Sequence, residues 1–212
     1  MKVLKPIFMF FLLLLISCSS PEGDESQAIW ETANPGPDMA KLEAKAHEAE
    51  EYCRTRNLNT DFFIIIDMSM HSGLKRFFIW DFNQSKITNS FLVSHGACDN
   101  PWSSDVSKDQ VKFSNIENSH CSSVGKYILG ERGPSQWGIR IKYLMHGQEG
   151  TNNNATRRDI VFHSWEQVSD EEVYPAGTPE GWGCPAISNS AMRAVDQKLQ
   201  QAVKRTLMWI VQ

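Results

Sequence analysis

The spacing of apolar residues changes several times along the chain, and each change predicts a different element. Ile7 to Ile16 is an unbroken apolar run behind Lys2 and Lys5. It is well short of the ~20 residues that a membrane-spanning helix needs, so residues 1–17 read as a signal peptide. Residues 18–37 are rich in Ser, Pro, Gly and acidic residues and read as a flexible tether. From Asp38 to Arg56, Met39, Leu42, Ala46, Ala49 and Cys53 recur at helical spacing, and Asp38 suits an N-cap. This predicts a packing helix with Cys53 single and buried.

At Asp61 the pattern becomes strand-like. Phe62 to Ile66 is a continuous apolar run, as in a strand buried on both faces. Arg76–Phe82, Ile87–Val93, Val124–Leu129, Gly138–Leu144 and Asp159–Phe162 follow as further strands. Turn residues separate several of them, among them Asp81-Phe82-Asn83 and Glu131-Arg132-Gly133-Pro134. Ala191, Val195, Leu199, Val203, Leu207 and Ile210 form an apolar stripe that predicts one final helix from Ser188 or Asn189 to about Val211. The expectation is a mainly β, largely antiparallel fold in residues 38–212: a sandwich or partly closed barrel with an N-terminal and a C-terminal helix.

Composition narrows the function classes. The chain has 212 residues, a formal charge of −4, seven Trp and eleven Phe, enough for one good core. No basic stripe is present, so nucleic acid is not an expected partner. Leu15-Ile16-Ser17-Cys18 resembles a bacterial lipobox, which makes Cys18 the expected lipidation site. The chain is then expected to be a lipid-anchored protein of the cell envelope, at the periplasmic face of the outer membrane or the cell surface. Export permits disulfides. Cys98 and Cys121 flank a polar loop and form the favoured pair. The competing reading is a zinc site from His95, Cys98, His120 and Cys121, but the spacing fits no familiar zinc module.

Candidate chemistry concentrates between Val161 and Ile187. Cys184 lies between Gly183 and Pro185 at the end of a polar loop, and His163 closes the apolar run Ile160-Val161-Phe162. A cysteine nucleophile needs a base and a turn that exposes its sulfur. Glycine permits strained backbone and close substrate approach, and amides at such a turn can stabilise an oxyanion. The bland alternatives are a small buried cysteine in a tight turn and a structural histidine after a strand. His146 is the rival histidine and a candidate wall of a substrate groove. Arg157 and Arg158 are candidates for holding carboxylates.

The segment H-S-W-E, followed by a loop and G-W-G-C-P-A-I, resembles the signature of the YkuD-type L,D-transpeptidase catalytic domain. It is closest to the divergent murein branch with W-G-C-P-A in place of S-H-G-C. Phe113-Ser114-Asn115, Ser122 to Tyr127 and Asn153 to Arg158 resemble that branch in the same order. The resemblance implies Cys184 as nucleophile, His163 as base, the Ser164 carbonyl as its orienting group, and the Gly183 and Cys184 amides as oxyanion donors. It implies Trp182, Ser114 and Asn115 as groove residues, peptidoglycan stem peptides as partners, a monomer, and no metal or organic cofactor. The implied reaction is acyl transfer through a thioester. Hydrolysis on the same scaffold and a catalytically silent wall-binding lipoprotein are the alternatives. Trp182 stands where most of the wider family has histidine, and Glu180-Gly181 where the divergent branch often has Arg-Ser. The second change was expected to alter how an acidic peptide is held.

Overall fold

The computed structural model describes residues 36–212. The expected signal peptide, the Cys18 lipidation site and nearly all of the tether lie outside the described residues. The order of elements is α1 (Met39–Thr55), β1 (Phe62–Asp67), β2 (Phe77–Asp81), β3 (Lys86–Phe91), β4 (Gly125–Pro134), β5 (Ile141–Gly147), β6 (Val161–Ser164), β7 (Ala186–Ile187), α2 (Asn189–Gln201) and β8 (Leu207–Val211). The strands form one 8-stranded sheet in the order β3-β2-β1-β8-β4-β5-β6-β7. The fold is mainly β with flanking helices, as the patterning predicts.

Both faces of the central strands are covered. Successive residues of β1 point to opposite faces. Phe63 and Ile65 pack with Phe78, Trp80, Trp209 and the apolar side of α1, while Phe62, Ile64 and Ile66 face the second core with Met192 and Val195 of α2. Asp38 caps α1 by accepting from the Lys41 amide at 3.0 Å, and the helix buries Leu42, Ala46, Ala49 and the free Cys53.

The sheet curls until its two ends nearly meet. Phe77 of β2 stacks on Phe162 of β6 with centroids 5.6 Å apart, although four strands separate β2 from β6 in the sheet. Beyond β3 the chain runs against the other end. The Ser94 amide donates to the Ala186 carbonyl at 2.8 Å, the Ala186 amide donates to Ser94 Oγ at 3.2 Å, and Gly96 bridges Gly181 in parallel.

Two expectations are corrected. The final helix ends at Gln201, and Leu207–Val211 is a strand set between β1 and β4. Its five residues are all buried, so Leu-Met-Trp-Ile-Val is a two-faced strand rather than a helical stripe. Val203, counted in that stripe, is almost fully exposed. Glu131 to Pro134 is not a turn but the second half of β4, carried past a bulge between Leu129 and Arg132. This half pairs only with β5, leaving an open edge where the missing amide hydrogen of Pro134 is tolerated. The pairing is mainly antiparallel, as expected, with two parallel pairs, β1–β8 and β6–β7.

The contact between the ends of the sheet gives a stability test. Phe77→Ala should destabilise the protein by about 3–5 kcal/mol in urea unfolding. A loss below about 1 kcal/mol would show that Phe77 and Phe162 do not form a common core.

Candidate active site

Strand β6 positions the histidine. His163 pairs with Lys142 of β5 on one side and with Ala186 of β7 on the other. It therefore lies inside a strand, not just after one. His163 Nδ1 is 2.9 Å from the Ser164 carbonyl oxygen. A carbonyl only accepts, so Nδ1 carries the proton and Nε2 is left with a free lone pair. Burial pushes the imidazole below the usual histidine range, with Lys142 acting in the same direction and the Ser164 hydrogen bond opposing. Ser164 is itself buried, and its Oγ accepts from the Ile139 amide at 3.0 Å.

The parallel register of β7 sets Cys184 beside β6. The His163 amide donates to the Pro185 carbonyl at 3.4 Å, and the Val161 amide donates to Cys184 Sγ at 3.4 Å. Burial pushes the Cys184 thiol up, while the Val161 amide and the Arg158 charge pull it down less strongly. With a raised thiol and a depressed imidazole, both groups are neutral at rest. Gly183 has φ +96, and a Cβ there would lie 2.5 Å from the Cys121 carbonyl oxygen. Both the backbone angle and the space thus call for glycine. The Gly183 carbonyl accepts from Ser122 Oγ at 3.2 Å. Among the described residues, the Gly183 and Cys184 amides donate to no protein acceptor.

Cys184, His163, Arg157, Arg158 and Trp182 line one cavity of about 430 Å³. The two arginines differ. Arg157 is exposed at the rim. Arg158 is half-buried and spends its guanidinium on the Ser114 and Cys121 carbonyls and on the Ser119 and Ser123 hydroxyls. It braces the 114–123 segment and reaches the thiol only through its charge. Cys98 and Cys121 are joined by a disulfide, which removes both thiolates from the competing zinc reading.

Three expected groove residues lie elsewhere. His146 Nε2 is 3.5 Å from Glu131 Oε2, on the β4–β5 ladder. Ser114 is consumed locally: its carbonyl accepts from Arg158 and its Oγ accepts from the Ile116 amide. Asn115 ties down the 150–154 turn, donating to the Gly150 carbonyl at 3.0 Å and accepting from the Asn154 amide at 3.2 Å. The repeated polar motifs that contain Ser114 and Asn115 are therefore scaffold for the loop behind the thiol.

Glu180 also departs from expectation. It does not face a substrate; its side chain is fully buried. It accepts from the Ser107 amide at 2.6 Å and from the Ser104 and Ser107 hydroxyls, and its Oε1 lies 3.3 Å from His95 Nε2. His95 Nδ1 in turn is 2.9 Å from the buried Arg76 guanidinium. Burial alone would raise the Glu180 carboxyl, but the donors from His95, Ser104 and Ser107 outweigh it and bring it down to about 2. The cavity also includes residues that sequence reasoning missed: Trp102, Trp137, Trp165, His120, Glu117 and Asp159. Apart from Trp165 they lie on loops and turns, where periodicity carries no signal.

Two measurements test this electrostatic picture. Iodoacetamide should label Cys184 slowly at pH 7 and faster as pH rises through and beyond 9, its unperturbed value. Cys53, pushed up to about 12 by burial, should stay unlabelled in the folded protein. A labelling rate already at plateau by pH 7 would establish a resting thiolate instead. For Glu180, the folded carboxyl lies below its unperturbed value of 4.5, so its contribution is present above that pH and is lost as pH falls toward 2. Glu180→Gln should lower stability at neutral pH and flatten the acid-unfolding profile in that window; an unchanged slope would exclude the carboxyl as its source.

Comparisons with known proteins agree with this geometry at the level of family. None of the curated proteins compared matches the chain. Among solved structures, it is similar to the helical cell shape determining protein Pgp2 from Campylobacter jejuni, at 14% identity and a TM-score of 0.42, covering 70% of this chain and 46% of that one. It is also similar to an L,D-transpeptidase from Xylanimonas cellulosilytica, at 9% identity and a TM-score of 0.40, covering 70% and 59%. The chain thus spans about half the length of these solved chains. A family model, the L,D-transpeptidase catalytic domain, matches residues 34–208, nearly the whole described region and the cysteine–histidine site within it, and the chain belongs to that family.

Proposed function

We propose that the protein catalyses cysteine-dependent acyl transfer on peptidoglycan stem peptides, with Cys184 as nucleophile and His163 as general base. One observation carries this reading. The Ser164 carbonyl fixes the Nδ1–H tautomer of His163, while the β6–β7 register puts the Cys184 sulfur beside the same strand in the same cavity.

The steps follow from neutral partners. The Cys184 S–H proton passes to His163 Nε2 as the sulfur attacks the amide carbon between the L-centre of a diamino acid and D-alanine. The developing oxyanion is met by the free amides of Gly183 and Cys184. The imidazolium returns its proton to the departing D-alanine amine, leaving a thioester on Cys184. An amine of a second stem then attacks the thioester, His163 takes the proton of that amine, and the thiol is restored. Arg157, free at the rim, meets a stem carboxylate, and Trp182 walls the path beside it. No step calls for a metal or an organic cofactor. The W-G-C-P-A sequence places the chain in the divergent murein branch within this proposal. Export and lipid anchoring through Cys18 place the reaction in the cell envelope.

Incubation of purified protein with disaccharide-tetrapeptide tests the reading. Mass spectrometry should find a thioester on Cys184, and product analysis should find cross-linked dimers. Cys184→Ala should abolish both, and His163→Ala should lower turnover by about 10²–10⁴-fold. Shortened monomers without dimers would assign the second step to water. A folded protein that forms no adduct would be a silent binder, and full activity in Cys184→Ala would refute the mechanism.

A further inference from the structure

The exposed tryptophans of this protein are not scattered. Trp102 is 44% exposed, Trp137 43% and Trp182 60%, and all three line the cavity that holds Cys184. The other described tryptophans, Trp80, Trp165 and Trp209, are buried. Large apolar side chains left in water at one place mark a binding surface.

Three of the rings form one cluster. Trp102 lies 5.2 Å from Trp165 and 6.0 Å from Trp137, centroid to centroid, and Trp137 closes the triangle at 6.5 Å from Trp165. Their positions are fixed by the catalytic scaffold. Trp165 continues β6 directly after Ser164, and its amide donates to the Ile187 carbonyl at 2.9 Å. Trp137 rides on a turn fastened to Ser164 through the Ile139 amide. Trp102 precedes the 103–107 strap that closes over the buried Glu180.

The cavity therefore has two chemistries. Of the charged lining residues, Arg157, Arg158, Asp159 and Glu117, the first three belong to the thiol end, where Cys184 Sγ approaches the Asp159 carbonyl at 3.7 Å. The Trp102–Trp137–Trp165 cluster adds no charge. Of a stem peptide only the diamino acid side chain could cover an indole face, through its ammonium and methylenes, and the charged thiol end of the cavity already serves the ionised groups of the stem. A pyranose complements bare indole faces: its axial C–H groups form an apolar face that meets the negative face of an indole, while its hydroxyls and N-acetyl group stay in water at the rim.

We infer that Trp102 and Trp137, seated on the buried Trp165, form a saccharide subsite that holds the N-acetylated glycan strand carrying the stem peptide under attack at Cys184. This rests on the proposed acyl transfer for the identity of the polymer; the sugar-binding surface itself does not depend on it. The subsite makes the enzyme a reader of stems attached to glycan, in preference to free peptides.

The test compares disaccharide-tetrapeptide with the same tetrapeptide lacking sugar. The wild-type protein should favour the sugar-bearing substrate by about ten-fold or more in kcat/KM. Trp102→Ala and Trp137→Ala, at exposed positions, should bring that ratio close to one while thermal unfolding shows a folded protein. An equal kcat/KM for the two substrates in the wild type, or an equal fall on both in the variants, would overturn the subsite.

Binding of both compounds to Cys184→Ala protein, followed by tryptophan fluorescence, separates the two proposals. A sugar-dependent gain in affinity that Trp137→Ala removes would uphold the saccharide subsite, and a wild-type protein that forms no thioester with the same compound would then refute the acyl-transfer reading alone. Equal affinities would refute the subsite. A tetrasaccharide of N-acetylglucosamine that binds as tightly as the disaccharide-tetrapeptide would assign the cluster to another polysaccharide and overturn the glycan strand as its occupant.

Discussion

The site depends on how a two-residue strand is held. Alone, Ala186-Ile187 is far too short to define a position. It is fixed because both of its edges are used: β6 pairs with it in parallel through His163 and Ser164, and the chain beyond β3 hydrogen-bonds it through Ser94. This is also the place where the curled sheet nearly closes. Cys184 and His163 thus both sit at a seam between the ends of one sheet, His163 within β6 and Cys184 at the end of the loop that leads into β7. A seam joined by backbone hydrogen bonds resists small displacements, which is what a nucleophile and its base require.

The same seam explains the buried charges. Gly181 donates to the His95 carbonyl at 2.7 Å, and Ala97 donates to the Gly181 carbonyl at 2.7 Å, so residues 95–97 and 180–181 run side by side. Their side chains face inward, where an unpaired charge would be costly. Glu180, His95 and Arg76 answer one another, and Ser104 and Ser107 complete the carboxylate. The network replaces a strand that the fold lacks at this point. It draws the 103–107 strap against the segment leading to Cys184, with the Glu180 amide donating to the Ser104 carbonyl at 2.6 Å. Glu180 thus braces the segment leading to Cys184 from behind, its carboxylate bonded to Ser104, Ser107 and His95 and turned away from the cavity.

Much of this was legible in the sequence because it rests on local rules. The buried β1 run, the Asp38 cap and the lone buried Cys53 follow from period, capping and chemistry, and His163 and the glycine-bracketed Cys184 line one cavity. The misreadings share a cause. Leu207 and Ile210 extend the spacing of Ala191 and Leu199 by coincidence, and only insertion between β1 and β4 decides that Leu207–Val211 is a strand. Glu131 to Pro134 carries turn residues, but a bulge in the ladder lets the strand absorb them. Glu180, Ser114 and Asn115 are polar residues near a reactive cysteine, and polarity alone does not reveal whether a side chain faces the cavity or the scaffold. The tryptophan cluster was invisible for the opposite reason: residues 102, 137 and 165 are far apart in the chain, and Trp exposure is a tertiary property.

The resting protonation of the pair constrains how the thiol must act. Burial raises Cys184 and lowers His163, so an ion pair is disfavoured before anything binds. The proton must then move during attack, and the cost of creating the charged pair falls on the transition state unless the site offsets it there. In the proposed reaction the amides of the Gly183–Cys184 turn would do this for an oxyanion, the turn being held by φ +96 at Gly183 and by the Ser122 bond to its carbonyl. The Arg158 charge does the same for the thiolate without approaching it, since its donors are committed to the 114–123 segment. A thiol kept neutral in this way is poorly reactive toward small electrophiles. Under the proposed mechanism it would become a nucleophile only when a carbonyl sits between the sulfur and those amides, so the geometry that lowers resting reactivity would also select for a correctly placed substrate.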